Sequence, residues 1–286
     1  MFSDSFKIKI QYVMPKHLLS RIVGKLAAAK LGFVTTSLVK LFAKQYKVDM
    51  QEAANEDLSS YASFNEFFTR PLKDGIRPID SAKESVVFPV DGCISQFGKI
   101  ENDQLVQAKG HNYSVQALLG GDEELSANFT DGDFMTIYLS PRDYHRIHMP
   151  IDGTLEKMIY VPGELFSVNP LTAENVPGLF ARNERVVSVF NSDHGKFAMV
   201  LVGATIVASI ETVWAGNVTP PPGKKVRQWT YPADSDTAVS LAKGQEMGRF
   251  KLGSTVVMVY ESGMQNFAEL ENGDVTRLGQ VSGQLL

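Results

Sequence analysis

Residues 248–260 constrain the fold of this chain more than any other segment. Apolar side chains alternate there, which is the period of a half-buried β-strand, at Phe250, Leu252, Val256, Met258 and Tyr260. Ser254 falls in the same row, so a hydroxyl interrupts an apolar face. Gly253 precedes it, and the missing Cβ indicates a bulge or a close approach to the Gly253 carbonyl. Alone, this pattern also fits a small residue at a tight bend.

Strand-like patterns separated by Gly and Pro turns dominate most of the chain. They fall at residues 86–90, 94–100, 105–108, 134–139, 154–161, 186–190 and 197–213. Residues 101–104 are expected to close a hairpin between the second and third of these segments. Residues 220–223 are expected to form a loop within one body. A capping-box pattern at residues 63–66 predicts a short helix that Pro71 ends. The expected fold class is therefore α+β, with an antiparallel β-sandwich or barrel behind N-terminal helices.

The first 47 residues are expected to form two amphipathic helices, at 15–31 and at about 34–46. An apolar stripe recurs at helical spacing, formed by Leu18, Leu19, Ile22, Val23, Leu26 and Ala27 in the first helix and by Leu38, Leu41 and Phe42 in the second. Neither segment reaches the roughly 20 apolar residues that a membrane-spanning helix needs. Two interpretations stay open: the stripe lies in a membrane interface, or it packs on the rest of the protein.

Charge is distributed unevenly along the chain. Residues 1–48 hold nine Lys or Arg and one acid, a net +8, whereas the remaining 19 bases and 31 acids give −12. A basic arm on an acidic body predicts an anionic partner, and the arm's apolar stripe favours a membrane surface over nucleic acid. Cys93 is the single cysteine, so an internal disulfide is excluded and a reducing compartment is expected. A secretory signal peptide is not expected, because the first lysines are not followed by an adequate apolar core.

Three side chains supply the groups that activate an oxygen nucleophile: an acid, Asp91, a base, His148, and a hydroxyl, Ser254. Taken singly, Asp91 in its Asp-Gly pair fits a turn, and His148 fits a core histidine. His145 is the other ionisable candidate, with a surface histidine as its alternative. Ser140 is expected to cap a helical turn that projects His145 and His148 from one face. Neither a metal-ligand pattern nor a pyridoxal-phosphate lysine motif is present, so no metal and no separately bound cofactor are expected.

Several motifs, in a consistent order, connect these residues to a known family. LGST (252–255) resembles the self-processing site of bacterial phosphatidylserine decarboxylases, which carry a pyruvoyl group. Six further segments resemble motifs of the same family: FNEFFTRPL (64–72), PVDG (89–92), AKGHNYS (108–114), YHRIHMP (144–150), YVPGELFSVN (160–169) and SIETVWAG (209–216). The resemblance therefore extends from the N-terminal region to just past Ser254.

The resemblance implies a self-processing proenzyme. His148 is expected to deprotonate Ser254 while Asp91 holds the imidazole, and Ser254 Oγ attacks the Gly253 carbonyl. Cleavage between 253 and 254 then leaves a covalent pyruvoyl group derived from Ser254, which forms a Schiff base with the substrate amine. His145 is expected to deliver a proton during decarboxylation. Arg142 or Arg146 is a candidate contact for the lipid phosphate, and the 161–163 turn and Phe166 are candidate pocket residues.

The resemblance also implies an organisation and a location. Residues 1–62 are expected to form a helical membrane-associating region, and residues 63–286 a β-rich catalytic domain. The expected products are a β chain, 1–253, and an α chain, 254–286. The two ends of the cleaved bond are expected to remain in one sheet. The expected substrate is phosphatidylserine, and a homodimer on the cytoplasmic side of the inner membrane is a further expectation. Two alternatives stay open: a serine hydrolase that uses Asp91, His148 and Ser254, and a non-catalytic membrane-binding module.

Overall fold

The computed structural model describes residues 3–108, 110–205, 209–219, 225–251 and 254–286. Within them the helices are α1 (Asp4–Val13), α2 (Lys16–Ala28), α3 (Phe33–Tyr46), α4 (Phe64–Phe68), α5 (Val115–Leu118), α6 (Glu123–Ala127), α7 (Pro170–Asn175) and α8 (Leu179–Arg182). The three longest helices come first, and the remaining ones are short segments between strands. The prediction of an α+β protein is confirmed.

The strands alternate with these short helices along the rest of the chain. They are β1 (Ser85–Val87), β2 (Gly92–Lys99), β3 (Gln104–Ala108), β4 (His111–Ser114), β5 (Asp133–Leu139), β6 (Arg146–His148), β7 (Gly153–Val161), β8 (Arg185–Ser192), β9 (Gly195–Val202), β10 (Ile210–Thr212), β11 (Gly216–Asn217), β12 (Arg227–Thr230), β13 (Ser240–Leu241), β14 (Glu246–Phe250), β15 (Ser254–Tyr260), β16 (Gln265–Phe267), β17 (Val275–Thr276) and β18 (Val281–Leu285).

A nine-stranded antiparallel sheet forms the centre of the molecule, in the order β12-β7-β8-β9-β15-β5-β2-β17, with β13 also paired to β7. Smaller sheets have the orders β11-β10-β14-β6 and β1-β18-β16. One buried apolar cluster joins Met258 of β15 to Ile147 of β6, Met247 of β14 and Val86 of β1. The large sheet therefore packs against the smaller ones as in a sandwich. The alternative of a barrel is wrong, because the described strands do not close into one.

A second apolar cluster covers the opposite face of the large sheet. It joins Val257 and Val259 of β15 to Leu118 of α5 and Phe180 of α8. Every residue of β15 is consequently buried. The prediction of a half-buried strand is wrong at this point, because helices cover the face that was expected to meet solvent.

Two strand predictions are wrong in part. Residues 248–260 do not form one strand: β14 belongs to the four-stranded sheet and β15 to the large one. The hairpin expected around residues 101–104 is limited to a bridge between Glu101 and Gln104, because β3 pairs with β4 instead of β2. Parts of two other predictions, residues 206–208 of the 197–213 strand and the loop 220–223, lie outside the described residues.

The N-terminal helices pack on the body through one side only. Val39 of α3 is fully buried in a cluster with Phe67 of α4, and Phe42 packs there as well. Leu18, Ile22 and Leu41, which belong to the predicted stripe, are exposed. The stripe is therefore divided: part of it packs on the protein, and part of it stays available for another surface. The short helix predicted after Ser63 is confirmed as α4, whereas α1 is a helix that the apolar pattern does not predict.

Taken singly, none of the described helices is both long and apolar enough to cross a bilayer. Helices α2 and α3 meet that test only as a pair, with a bend of 113° between them.

Candidate active site

Ser254 is the first residue of β15 and pairs with Leu139 of β5. Its side chain is fully buried, and its Oγ has no hydrogen-bond partner among the described residues. An unpartnered buried hydroxyl costs on the order of 1–3 kcal/mol, so such groups are uncommon. Thr255 Oγ1, on the opposite face, is also unpartnered within the described ranges. The missing partner is therefore compatible with a reactive hydroxyl but does not single Ser254 out.

The structure describes the chain on both sides of the expected cleavage site, up to Lys251 and again from Ser254. Gly253, the residue expected to supply the cleaved bond, lies outside the described residues, as does Leu252. The Lys251 backbone N–H donates to Ser209 O at 2.9 Å, and its Nζ contacts Glu211 Oε2 at 2.8 Å and Asn217 Oδ1 at 2.6 Å. These contacts fix the chain two residues before Gly253.

The two sides of the expected break belong to different sheets. Strand β14 ends at Phe250 in the four-stranded sheet, and β15 begins at Ser254 in the large one. The strands described on either side of the expected break therefore do not share one sheet, contrary to the prediction.

His148 lies at the end of β6, and its main-chain N–H donates to Pro89 O at 2.9 Å. Its ring Nδ1 lies 2.7 Å from Gly244 O, and its Nε2 lies 3.2 Å from Tyr144 Oη. Because a carbonyl can only accept, Nδ1 carries the proton and Nε2 is the acceptor of the neutral ring. Burial lowers the pKa of His148, which favours this neutral form.

The Asp91 carboxylate is buried and held by other partners. Arg77 donates to it from Nε at 3.0 Å and from Nη2 at 2.6 Å, and Leu278 N–H donates at 2.9 Å. Arg277 Nη1 lies 3.4 Å away. The hydrogen bonds found among the described residues do not join Asp91 to His148, or His148 to Ser254. The hydrogen bond from His148 N–H to Pro89 O brings the PVDG and YHRIHMP segments together. The roles of Asp91, His148 and Ser254 as a triad stay a prediction.

His145 lies between a tight turn at residues 140–143 and strand β6, and not in a helix. Asp143 N–H donates to Ser140 O, and Ser140 N–H donates to Asp143 Oδ2 at 2.7 Å, so Ser140 is not a helix cap. The prediction of a helical turn is wrong, because His148 already belongs to a strand. The alternative of a surface histidine is also wrong, because His145 is fully buried with its ring 4.1 Å from that of Phe68.

The ring of His145 has one free acceptor. Its Nδ1–H donates to Asp143 O at 2.8 Å, whereas Nε2 has no partner in the described part of the chain. Burial lowers the pKa of His145 to about 3, so the ring is neutral near pH 7. The His145 carbonyl accepts from Phe250 N–H at 3.0 Å, which ties this turn to the end of β14.

The two candidate phosphate contacts differ in their surroundings. Arg146 donates to Thr69 O at 2.8 Å and to Glu246 Oε2 at 3.0 Å, so its guanidinium already has partners. Arg142 is more exposed and lies 3.8 Å from Asp143. The structure leaves Arg142 the more available of the two.

Two cavities adjoin these residues. A polar one of about 240 Å³ contains Asp91, Tyr144 and Arg277 in its wall. A larger one of about 1530 Å³ separates α2 from β7 and β12 and extends to Lys251. Pro162 and Gly163 line it, as expected for the 161–163 turn. Phe166 does not; it is buried against Tyr12 and Lys16.

Arg77 and Tyr144, which contact Asp91 and His148, were not identified from the sequence. Arg77 contacts carboxylates that lie 14 and 25 residues away, so no local pattern marks it. Tyr144 is the exception, since it opens the YHRIHMP segment that contains both histidines.

Comparisons with known proteins agree over nearly the whole chain. The family model described as "Phosphatidylserine decarboxylase" matches residues 64–284, and a second, described as "PSD", matches residues 6–47. A "Phosphatidylserine decarboxylase proenzyme" of Shewanella denitrificans is 66% identical over 284 residues, covering 99% of this chain and 98% of the relative. Proteins of the same name from Pseudoalteromonas translucida and Pseudoalteromonas atlantica are 64% and 63% identical, covering 98% and 99% of this chain and 97% and 99% of their own.

A match of this length, with relatives of such identity, identifies the family without reference to any single motif. This chain belongs to the phosphatidylserine decarboxylase family.

Proposed function

We propose that this chain is the proenzyme of a decarboxylase that converts phosphatidylserine to phosphatidylethanolamine. Family membership supports the reaction. The observation that carries the assignment to a site is the LGST segment (252–255) within the matched region, whose Ser254 is buried at the start of β15. A serine hydrolase and a non-catalytic membrane module are not favoured, because the relatives are named as decarboxylase proenzymes over nearly their full length.

Ser254 is the proposed nucleophile of self-cleavage, and His148 its proposed base. The protonated Nδ1 of His148 leaves Nε2 as the proton acceptor, which supports this role. To act, Nε2 exchanges the Tyr144 hydroxyl for that of Ser254. Asp91 then stabilises the positive ring through its charge, which opposes the effect of burial on the pKa of His148.

The proposed product is a pyruvoyl group formed from Ser254 in place. The residues present are compatible with that group, because the hydroxyl to be lost has no partner among the described residues, and β15 is apolar from Val256 to Val259. Once formed, the group supplies the electron sink that an amino acid lacks during loss of carbon dioxide. His145 is the proposed residue that delivers a proton to the substrate carbon. Its ring is neutral and Nε2 is a free acceptor, so Nε2 first takes up a proton that the substrate ammonium group loses on binding covalently and then returns it to the substrate carbon.

Cleavage divides the chain into 1–253 and 254–286. The second part contributes β15, β16, β17 and β18. Three of these strands pair with β5, β9, β2 and β1 of the first part, so the two chains are expected to stay associated.

The first 62 residues are proposed to attach the enzyme to the cytoplasmic face of the inner membrane, with residues 63–286 as the catalytic domain. The support is a net charge of +8 before residue 49 and the exposed Leu18, Ile22 and Leu41. Interfacial helices combine these two properties. A homodimer stays an expectation from the resemblance.

The test of the function is the formation of phosphatidylethanolamine and carbon dioxide from phosphatidylserine vesicles by the purified protein. Wild type is expected to release both products in equal amounts, and Ser254→Ala to release neither. Water-dependent release of fatty acid without carbon dioxide would instead support the serine hydrolase. Vesicle binding without either product would support the membrane module.

A further inference from the structure

The cavity between α2 and the large sheet has one face of mixed basic and apolar character. Helix α2 contributes His17, Arg21 and Lys25, spaced four residues apart, together with the exposed Leu18 and Ile22. Residues four apart lie on the same side of a helix, so one strip of α2 presents cations and apolar groups to the same space.

The acidic groups of the cavity already have partners. Glu164 pairs with Lys16 Nζ at 2.9 Å, and Glu184 accepts from Tyr160 Oη at 2.8 Å. In contrast, neither Arg21 nor Lys25 has a hydrogen bond or ion pair with a described residue. Burial raises the pKa of Glu184. The positive charge of Arg21 acts on Glu184 through space and opposes that rise in pKa. On the α2 side of the cavity, the Arg21 and Lys25 side chains are therefore available to bind an anion.

Lys251, two residues before Gly253, also lines the cavity, but Glu211 and Asn217 hold its ammonium group. Met158 and Trp229 line the cavity as well, so it can also contact apolar groups of a bound molecule. At about 1530 Å³ the space exceeds that of an ordinary small-molecule pocket.

We propose that Arg21 and Lys25 bind the phosphodiester of the phospholipid substrate, and that its apolar part lies along Leu18, Ile22 and the β7 wall. The inference rests on the proposed function. A cation beside the reacting carboxylate would stabilise the ground state and slow its loss. The phosphodiester lies close to the carbon that loses carbon dioxide but is unchanged by the reaction, so cations that contact the phosphodiester and not the carboxylate can bind both substrate and product.

The test compares two variants that lose the same charge from the arm. Arg21→Gln/Lys25→Gln removes the cavity pair, and Lys30→Gln/Lys40→Gln removes two exposed cations that do not line either cavity. Both lower the attraction to an anionic surface similarly. Dihexanoyl phosphatidylserine below its critical micelle concentration serves as substrate, so that membrane binding does not enter the rate.

The Arg21→Gln/Lys25→Gln variant is expected to have a KM at least roughly tenfold higher than wild type, with little change in kcat. The reason is that the substitutions remove charge-assisted hydrogen bonds that substrate and transition state share. The inhibition constant of dihexanoyl phosphatidylethanolamine should rise by a similar factor, and Arg21→Lys should restore part of the loss. The control pair should resemble wild type. Self-cleavage of each variant is checked first by mass.

An unchanged KM in the Arg21→Gln/Lys25→Gln variant would overturn the proposal. An equal rise of KM in this variant and in the control variant would also overturn it, because both results would show that these cations act only as general surface charge. If the double variant does not self-cleave, Arg21→Gln and Lys25→Gln are measured singly, and an unchanged KM in both has the same meaning. A wild-type protein that releases no carbon dioxide would instead contradict the proposed function. The two failures are therefore distinguishable.

Discussion

Ser254 Oγ and His145 Nε2 are both buried, and neither has a partner among the described residues. Each is a polar group removed from water without compensation, which lowers the stability of the folded state. Active sites often retain such groups, because chemistry needs an acceptor or nucleophile that is not already engaged. We therefore expect Ser254 Oγ to act in self-cleavage and His145 Nε2 to act in decarboxylation.

His145→Ala is expected to self-cleave substantially but to decarboxylate about 10²–10⁴-fold more slowly, the usual range for loss of a general acid or base. The physical reason is that His148 retains the base role in cleavage, whereas the proton donor for the substrate carbon is lost. Intact mass gives the extent of cleavage, and carbon dioxide release gives turnover. A variant that matches wild type in both would remove His145 from the mechanism.

The rate of self-cleavage should depend on pH through His148. Burial lowers the pKa of His148 from 6.5, and only the neutral ring can accept the Ser254 proton. The rate should thus be constant near pH 7 and fall as the pH decreases through that lowered pKa. Cleavage is measured on proenzyme freshly made by cell-free translation and transferred to each buffer. A midpoint above pH 6.5 would contradict the assignment of His148 as a buried base.

Arg77→Met should destabilise the protein by about 3 kcal/mol, because it leaves the buried Asp91 carboxylate without its main partner. Adding Asp91→Asn should recover part of that loss, since the uncompensated charge is then gone. Both are compared in the uncleavable Ser254→Ala background by urea denaturation, which gives the free energy of unfolding. Strictly additive effects of the two changes would show that the pair is not coupled.

At the scale of elements, local patterns predicted α2, α3 and α4 and most strands of the large sheet. They did not separate β14 from β15, because alternation describes a strand but not the sheet that it joins. They also placed His145 in a helix, because the Ser-Pro-x-Asp pattern of residues 140–143 suits both a helix start and a turn. In the candidate site, the motifs identified the acid, the histidines and the serine. They could not identify Arg77, the partner of Asp91, because that contact joins residues that are distant in sequence.

The exposed apolar side chains of α3 provide a test of membrane attachment that does not involve the cavity. Replacing Phe33, Leu38 and Leu41 with Gln should release the protein from anionic liposomes in a flotation assay at high salt. Their burial contributes roughly 25 cal/mol per Å² and persists when salt screens the charges. Self-cleavage should continue.

The matched control for this release replaces two exposed apolar residues of the body, Val106 and Val275, with Gln. That variant should float like wild type. If the α3 variant also floats like wild type at high salt, the arm is not the membrane contact.

At the scale of the whole molecule, the position of β15 links the chemistry to the architecture. Ser254 begins a strand in the middle of the nine-stranded sheet, between β5 and β9. A break before it therefore leaves the new terminus on a strand that is anchored on both sides by backbone hydrogen bonds. The fold can undergo cleavage without losing its core, which a self-processing proenzyme requires.

The most direct test of self-cleavage at Ser254 is the mass of the purified protein under native and denaturing conditions. Under native conditions one particle is expected. In denaturant it should separate into chains 1–253 and 254–286, the second with a ketone in place of the Ser254 amine. Ser254→Ala should remain a single chain whose mass is that of the uncleaved 31.5 kDa protein less one oxygen atom. A wild-type protein that decarboxylates phosphatidylserine while remaining one uncleaved chain would contradict the central claim.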